Sequence, residues 1–348
     1  MNIEAYTGWD IGGAHLKLAS VSKTGRVDLA LQLPMPLWQG IHILDQTLLE
    51  ATRRLPQAAS IHAITTTAEL VDIFSDRHSG VMKVAQRICH LLGEESILFY
   101  AGRSGWADPD ATGRYAHDIA SANWHATAAY VAGLVNDGIL LDIGSTTTDI
   151  IMFNNRQVRY HGYTDYERLS SHELVYTGVV RTPVMAITDK APVAGIWQPV
   201  TAELFATMAD VYRLTGELNE QDDMQNAPDG GGKSPVDSAR RLARMFGADL
   251  GWHGSLESWL KVAEYLAGVQ LDRINQSFQT VRSRLKNSSN GVLVGAGAGR
   301  FLARKLSLLH GLKYLDFADL LDTPAQMKNP ATLAAAAVSV AQLARLQT

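Results

Sequence analysis

Leu140-Leu141-Asp142-Ile143-Gly144-Ser145-Thr146-Thr147-Thr148-Asp149-Ile150 decides how this chain is read. An apolar run ends in an Asp, a glycine and four hydroxyl residues follow, and a second Asp opens the next apolar run. The pattern predicts a buried strand, a tight turn and the start of another strand. Glycine lets the backbone approach phosphate oxygens, the turn's amides and hydroxyls donate hydrogen bonds, and carboxylates hold a hard cation directly or through water. Gly144, Ser145, Thr146 and Thr147 are therefore candidate phosphate-binding residues, with Asp142 and Asp149 as candidate metal ligands.

The same form stands near the amino terminus, in Gly8-Trp9-Asp10-Ile11-Gly12-Gly13-Ala14-His15-Leu16-Lys17-Leu18-Ala19. Asp10 and Asp142 lie 132 positions apart and both are followed by Ile-Gly, which implies an internal duplication with two turns facing each other across a cleft. Asp10 joins Asp142 as an expected metal-binding and catalytic carboxylate. Gly12 and Gly13 are the matching phosphate-binding glycines, and Lys17 is a candidate phosphate contact from the first hairpin. A strand-end Asp that merely caps a turn would explain one copy but not the repetition.

The 348 residues suit two domains rather than one core. With 46% hydrophobic and 19% charged residues the composition is that of an ordinary globular protein. Thirty-one basic residues against 35 acidic ones give a formal net charge of -4, so bulk charge does not favour a nucleic-acid partner. Cys89 is the only cysteine, which excludes an internal disulfide framework and fits a reducing cytoplasm. Met1-Asn2-Ile3-Glu4 has no basic leader region, and the most apolar run, 333–344, is interrupted by Ser339 and Gln342 and too short to span a membrane. A soluble cytoplasmic protein is expected.

Three strands joined by tight turns are expected over 5–10, 16–22 and 26–32, then a helix over 41–54 and a strand over 61–67. Ligands of open α/β sheets sit beyond the carboxyl ends of strands, which places Thr66, Thr67 and Glu69 as candidate substrate contacts and Glu69 as the candidate general base. Further helices are expected over 80–92 and 118–134, with a strand over 96–100 between them and Asn123 near the start of the second helix as a candidate substrate contact. After Asp149 come strands over 149–154 and 157–162, and then a mostly helical insertion, about 163–290, with helices over 202–214, 237–246 and 256–284. Residues 216–234, with Asp222, Asp223 and Gly230-Gly231-Gly232, read as too polar and glycine-rich to bury, hence mobile. Arg181, in Tyr176-Thr177-Gly178-Val179-Val180-Arg181-Thr182-Pro183, would suit an anionic substrate group. A strand over 313–317 and a helix over 330–345 end the chain.

Two glycine-rich stretches imitate other motifs. Gly295-Ala296-Gly297-Ala298-Gly299-Arg300 has Arg where the dinucleotide fingerprint needs Gly or Ala, and it lies too late in the chain to open such a domain. Ala227-Pro228-Asp229-Gly230-Gly231-Gly232-Lys233-Ser234 lacks the first glycine of a P-loop and the strand leading into it, so it reads as a flexible loop. The 11 histidines show no zinc spacing. Trp9, Trp38, Trp124 and Trp197 read as core or cleft walls.

The two Asp-Ile-Gly turns and the late stretch Val292-Leu293-Val294-Gly295-Ala296-Gly297-Ala298-Gly299 together resemble the actin, Hsp70 and sugar kinase superfold. That resemblance implies a duplicated, two-domain α/β fold of the actin-like ATPase, ribonuclease H-like kind. Its first domain would cover 1–135 plus the carboxyl-terminal helix 330–348, and its second 136–329. Gly295, Ala296, Gly297 and Gly299 would form the adenosine-binding loop.

A narrower resemblance rests on Trp9-Asp10-Ile11-Gly12-Gly13-Ala14-His15, Pro36-Leu37-Trp38-Gln39-Gly40, Thr67-Ala68-Glu69-Leu70, Ser121-Ala122-Asn123-Trp124 and Arg181-Thr182-Pro183. These resemble the hydantoinase/oxoprolinase-related proteins linked to tetrahydromethanopterin-dependent one-carbon transfer. The resemblance implies a synthase of methanofuran or methylofuran biosynthesis, joining the phenol of a γ-glutamyltyramine-like amine to an aminomethylfuran methyl diphosphate and releasing diphosphate. Mg²⁺ is the implied cofactor, with ATP the alternative occupant of the phosphate site. Implied partners are the diphosphate ester and the phenolic amine, with neither nucleic acid nor membrane; a homodimer is the candidate assembly. An ATP-dependent small-molecule kinase or hydantoinase-like enzyme, and a nucleotide-gated regulatory protein, are the competing readings.

Overall fold

The computed structural model describes residues 4–56, 60–93, 96–285 and 291–347, so the first three residues and the last five of the expected insertion lie outside the described residues. In chain order the strands are β1 (Ala5–Ile11), β2 (His15–Ser22), β3 (Val27–Pro34), β4 (Ser60–Thr66), β5 (Ile97–Tyr100), β6 (Trp106–Ala107), β7 (Gly138–Ile143), β8 (Thr148–Asn154), β9 (Gln157–Arg159), β10 (Leu174–Val175), β11 (Lys190–Val193), β12 (Ile196–Pro199), β13 (Val292–Ala296) and β14 (Lys313–Asp316). The α-helices are α1 (His42–Thr52), α2 (Arg77–Leu92), α3 (Ala116–Ile119), α4 (Asn123–Leu134), α5 (Asp165–Ser170), α6 (Met208–Leu214), α7 (Pro235–Arg244), α8 (Leu256–Arg282), α9 (Arg300–Leu309), α10 (Lys328–Leu333) and α11 (Ala335–Gln347). One sheet runs β3-β2-β1-β4-β5-β6, a second β10-β8-β7-β13-β14 with β9 beside β8, and β11 and β12 form a separate hairpin.

The chain divides into two compact units, Met1–Leu140 with Ile151–Tyr160 and Leu315–Thr348, and Leu141–Ile150 with His161–Tyr314. In the first, β1 is buried along its whole length. On one side Trp9 and Ile11 join Leu44 and Leu48 of α1 and Val81, Val84 and Ile88 of α2 in a single core. The buried alanines 335, 336, 337, 341 and 344 of α11 let that helix lie close on β1. Gly8 is required there, because a Cβ would stand 1.8 Å from the Ala337 carbonyl oxygen.

The first unit departs from the expected helices at two points. The helix expected over 118–134 is two helices, α3 and α4, because Ser121 adopts φ 54° between them. The carboxyl-terminal helix likewise divides at Ala334, into α10 and α11. Trp9 and Trp124 are core residues, whereas Trp38 and Trp197, of the first and second units, are 46% and 56% exposed and belong to no core.

In the second unit α6 and α7 pack on α8, whose buried residues Trp259, Ala263, Leu266, Gln270, Ile274 and Phe278 recur at helical spacing. The helix expected over 202–214 is only α6, opened by a Thr207–Asp210 capping box. Most of 216–234 is exposed, as its composition implies, but the stretch also sends buried acids inward. Asp222 and Asp223 are buried. Arg213 pairs with both Asp210 and Asp223, Lys233 reaches Asp223, and Arg241 bonds Asp210, Asp229 and the Gly232 carbonyl. Charges that looked solvent-seeking satisfy one another, and Ser234 then caps α7 ahead of Pro235. Among the described residues no helix is long and apolar enough to cross a membrane.

Candidate phosphate-binding hairpins

The turn between β1 and β2 is closed by the Gly12 amide donating to the His15 carbonyl at 3.0 Å. Behind it the Leu37 amide donates to Gly13 and the Met35 amide to Ala14, so the Pro34–Leu37 stretch braces the turn locally. Strand register sets Asp10 opposite Lys17 on β2 and beside Thr65 on β4. Lys17 Nζ lies 3.5 Å from Asp10 Oδ2. Asp10 Oδ1 and Thr65 Oγ1 are buried with no hydrogen-bond partner. Burial pushes the Asp10 carboxyl above its ordinary range, opposed by the charge and hydrogen bond of Lys17. An orphaned buried carboxylate oxygen fits a role as cation ligand or as a holder of metal-bound water.

The carboxyl end of β4 adds a polar cluster in the same unit. Thr66 Oγ1 donates to the Ile11 carbonyl, the Thr67 amide bonds the same carbonyl, and Thr67 Oγ1 lies 3.6 Å from where a Gly12 Cβ would stand. Glu69 is buried, with Ser121 Oγ donating to one carboxylate oxygen at 2.8 Å and Thr66 Oγ1 at 3.4 Å from the other. Gly80 of α2 packs so tightly on Glu69 that a Cβ would meet it at 2.8 Å. Asn123 occupies the start of α4, where its Oδ1 accepts from the Trp124 amide.

The turn between β7 and β8 repeats the first closure, with the Gly144 amide donating to the Thr147 carbonyl at 2.9 Å. Its bracing comes from far along the chain. The Val179 amide donates to the Gly144 carbonyl, and those of Val180 and Arg181 to Ser145. Gly178 lies so close that a Cβ would be 2.5 Å from the Ser145 carbonyl carbon and the Thr146 nitrogen. Arg181 is thus tied to the turn by its backbone while its side chain is exposed. Ser145 Oγ is buried without a partner.

Asp149 gives Oδ1 to Arg168 at 2.8 Å, a guanidinium only 2% exposed that also bonds the Glu173 carbonyl. The expected metal ligand therefore already holds a buried cation partner. The late glycine loop packs on the other carboxylate: at Gly297, φ 80°, a Cβ would stand 2.7 Å from Asp142 Oδ1 and 2.3 Å from the Ile143 carbonyl oxygen. Gly299 donates its amide to Ile143, and Gly295 leaves room for the Tyr314 hydroxyl. Of the expected adenosine-binding loop residues Gly295, Ala296, Gly297 and Gly299, Gly297 thus packs on Asp142 and Gly299 on the adjoining Ile143. Reading the sequence missed Ser121, Arg168 and the 177–180 brace; the only local signal was Thr177-Gly178 ahead of two valines.

Residues 61–344 match the hydantoinase/oxoprolinase family. The chain belongs to the hydantoinase/oxoprolinase family. A Methanocaldococcus jannaschii protein named (4-{4-[2-(gamma-L-glutamylamino)ethyl]phenoxymethyl}furan-2-yl)methanamine synthase is 29% identical over 291 residues, 83% of this chain and 85% of that protein. A Methanococcus vannielii protein of the same name is 31% identical over 159 residues, 46% of this chain and 70% of that one. Nucleotide-free acetone carboxylase superposes with a TM-score of 0.53 at 10% identity, over 86% of this chain and 66% of that one. The expected duplicated α/β class, the actin-like ATPase architecture with a sheet in each half, is the fold of this hydantoinase/oxoprolinase family member.

Proposed function

We propose that this chain is a synthase for a furan-containing one-carbon carrier, joining a phenolic amine to an aminomethylfuran methyl diphosphate. The phenol oxygen forms a bond to the furfuryl carbon, the bond from that carbon to the diphosphate oxygen breaks, diphosphate leaves with the electron pair, and the phenolic proton passes to a base. The observation that carries the reading is the repeated Asp-Ile-Gly hairpin, closed by the same amide-to-carbonyl bond in both copies, in a chain related to two synthases of that name.

Each hairpin is assigned the same work, offering one carboxylate and a run of amides or hydroxyls to a magnesium diphosphate. Asp10 in the first unit and Asp142 in the second would each serve as a Mg²⁺ ligand, an ion that commonly takes only one or two carboxylates alongside phosphate oxygens and water. Bound there, the ion neutralises charge developing on the leaving oxygens. Within its own unit each hairpin would add donors for phosphate oxygens, Gly13 and Lys17 in the first and Ser145 and Thr146 in the second. Glu69 is buried and already receives hydroxyls, so it takes the proton by relay: Ser121 Oγ accepts it from the phenol while passing its own to Glu69.

The test is an assay of the purified protein with Mg²⁺, the phenolic amine and the furan diphosphate, following diphosphate release and the ether product by mass. Equimolar ether and diphosphate are expected without ATP. Ether formation only with ATP hydrolysis would replace this reading with an ATP-dependent enzyme, the alternative favoured by the retained glycine loop against Asp142.

A further inference from the structure

We infer that Gln270 is a positioning residue for the phosphate-binding turn of the second hairpin, fixing the backbone of residues 144–146 through the 177–181 segment. The inference rests on the phosphate reading of that turn and adds a residue 93 positions from Thr177 that no motif marks.

Gln270 is fully buried in the middle of the packed face of α8, among Ala263, Leu266, Ala267 and Ile274. An amide there is costly unless every polar atom is matched. Its oxygen accepts the Tyr212 hydroxyl at 2.5 Å, and its nitrogen donates to Thr177 Oγ1 at 2.6 Å and to the Gly178 carbonyl at 2.9 Å. The orientation is forced, because the Gly178 carbonyl only accepts and Tyr212, its ionisation pushed up by burial, stays a donor.

From that amide the chain of contacts runs straight to the turn. Thr148 Oγ1 donates to the Thr177 carbonyl at 2.7 Å. Gly178 lies against Ser145 and Thr146 with no room for a side chain, and the next three amides donate to the Gly144 and Ser145 carbonyls. Losing the amide would free the Gly178 carbonyl and Thr177 hydroxyl to seek other partners, and the brace would move with them. A phosphate site is sensitive to shifts of well under 1 Å, so the binding constant should register what the overall fold absorbs.

The experiment compares wild type, Gln270→Met and Tyr212→Phe. Each is titrated calorimetrically with Mg²⁺ plus inorganic diphosphate and with Mg-ATP, alongside melting curves and amide exchange at residues 144–147. Gln270→Met keeps the volume and removes the amide; it should weaken whichever probe wild type binds by at least tenfold while remaining folded, with faster exchange in the turn. Tyr212→Phe leaves the two amide donations in place and should cost about threefold. A Gln270→Met protein that melts earlier but binds within twofold of wild type overturns the inference and leaves the phosphate reading standing. Wild type binding neither probe overturns both. Should Gln270→Met fail to fold, Thr177→Val, which removes a hydroxyl that receives the amide, decides by the same twofold criterion.

Discussion

The two hairpins are built alike and neutralised differently. Aligned on Gly12 and Gly144, Lys17 of the first stands where the second has Asp149. The first hairpin carries its own cation across the strands, on a side chain 27% exposed and able to turn toward a ligand. The second carries a second acid and borrows its cation from Arg168, buried and committed. Bracing follows the same division: residues 34–37 hold the first turn locally, while residues 178–181 and 297–299 hold the second from far away. A duplicated motif has thus become one self-sufficient half and one half that depends on the inserted segment for charge balance and shape.

The largest effect expected is on catalysis, and it should be equal in the two halves. On the proposed reaction, Asp10→Asn and Asp142→Asn should each lower turnover of the furan diphosphate by roughly a hundredfold or more with the fold intact, since each would remove a carboxylate assigned to the charge developing on the leaving group. Circular dichroism checks the fold and product mass the rate. Near-normal turnover in one of them would show that only one hairpin kept its role.

The cations should separate the halves. Arg168→Met leaves Asp149 uncompensated at a buried site and should cost about 3 kcal/mol of stability in urea unfolding. Lys17→Met removes a partner that is only partly buried and should cost below about 1 kcal/mol, while raising the magnesium needed for activity. Equal losses in the two variants would abolish the distinction between them. Next in size is Gly297→Ala, which forces a side chain into a left-handed backbone and against Asp142. About 2 kcal/mol of stability and tenfold in activity should be lost. Gly12→Ala, whose Cβ would press on the His15 carbonyl oxygen at 2.9 Å and stand 3.6 Å from Thr67 Oγ1, without a strained φ, should lose less of both.

What was legible in the sequence follows the same line. Asp10, Gly12, Asp142 and Gly144 were legible as the strand ends and turns of two like hairpins, because a strand end, a glycine and a turn are local. Arg168, Gly178 and Ser121 were hidden because their work is done on residues distant in the chain or through a backbone angle that composition does not encode. Within 216–234 the two buried acids were hidden for an electrostatic reason: they were counted as facing water, but Asp223 meets Arg213, which also holds Asp210 beside Arg241, and a closed set of charges folds inward where a single sign could not. Asp149, expected as a metal ligand beside the phosphate turn, also pairs through Oδ1 with Arg168, a partner that no local signal announced.

The smallest effect is in stability, and it tests how the first hairpin bears its acid. Burial raises the Asp10 carboxyl above its unfolded value, with Lys17 only partly opposing it. A group whose proton is held more tightly in the folded state stabilises the fold fully below its unfolded value, about 3.9, and that contribution is lost as pH rises through the folded value. Once Asp10 ionises, its buried charge is therefore a cost to the fold. Asp10→Asn removes the charge and not the shape, so its stability relative to wild type, read in urea unfolding, should climb as pH rises through the folded-state value of Asp10. A difference that is flat with pH, or that grows toward acid, would mean that Lys17 compensates the buried carboxylate in full, and the first hairpin would then be as electrostatically settled as the second.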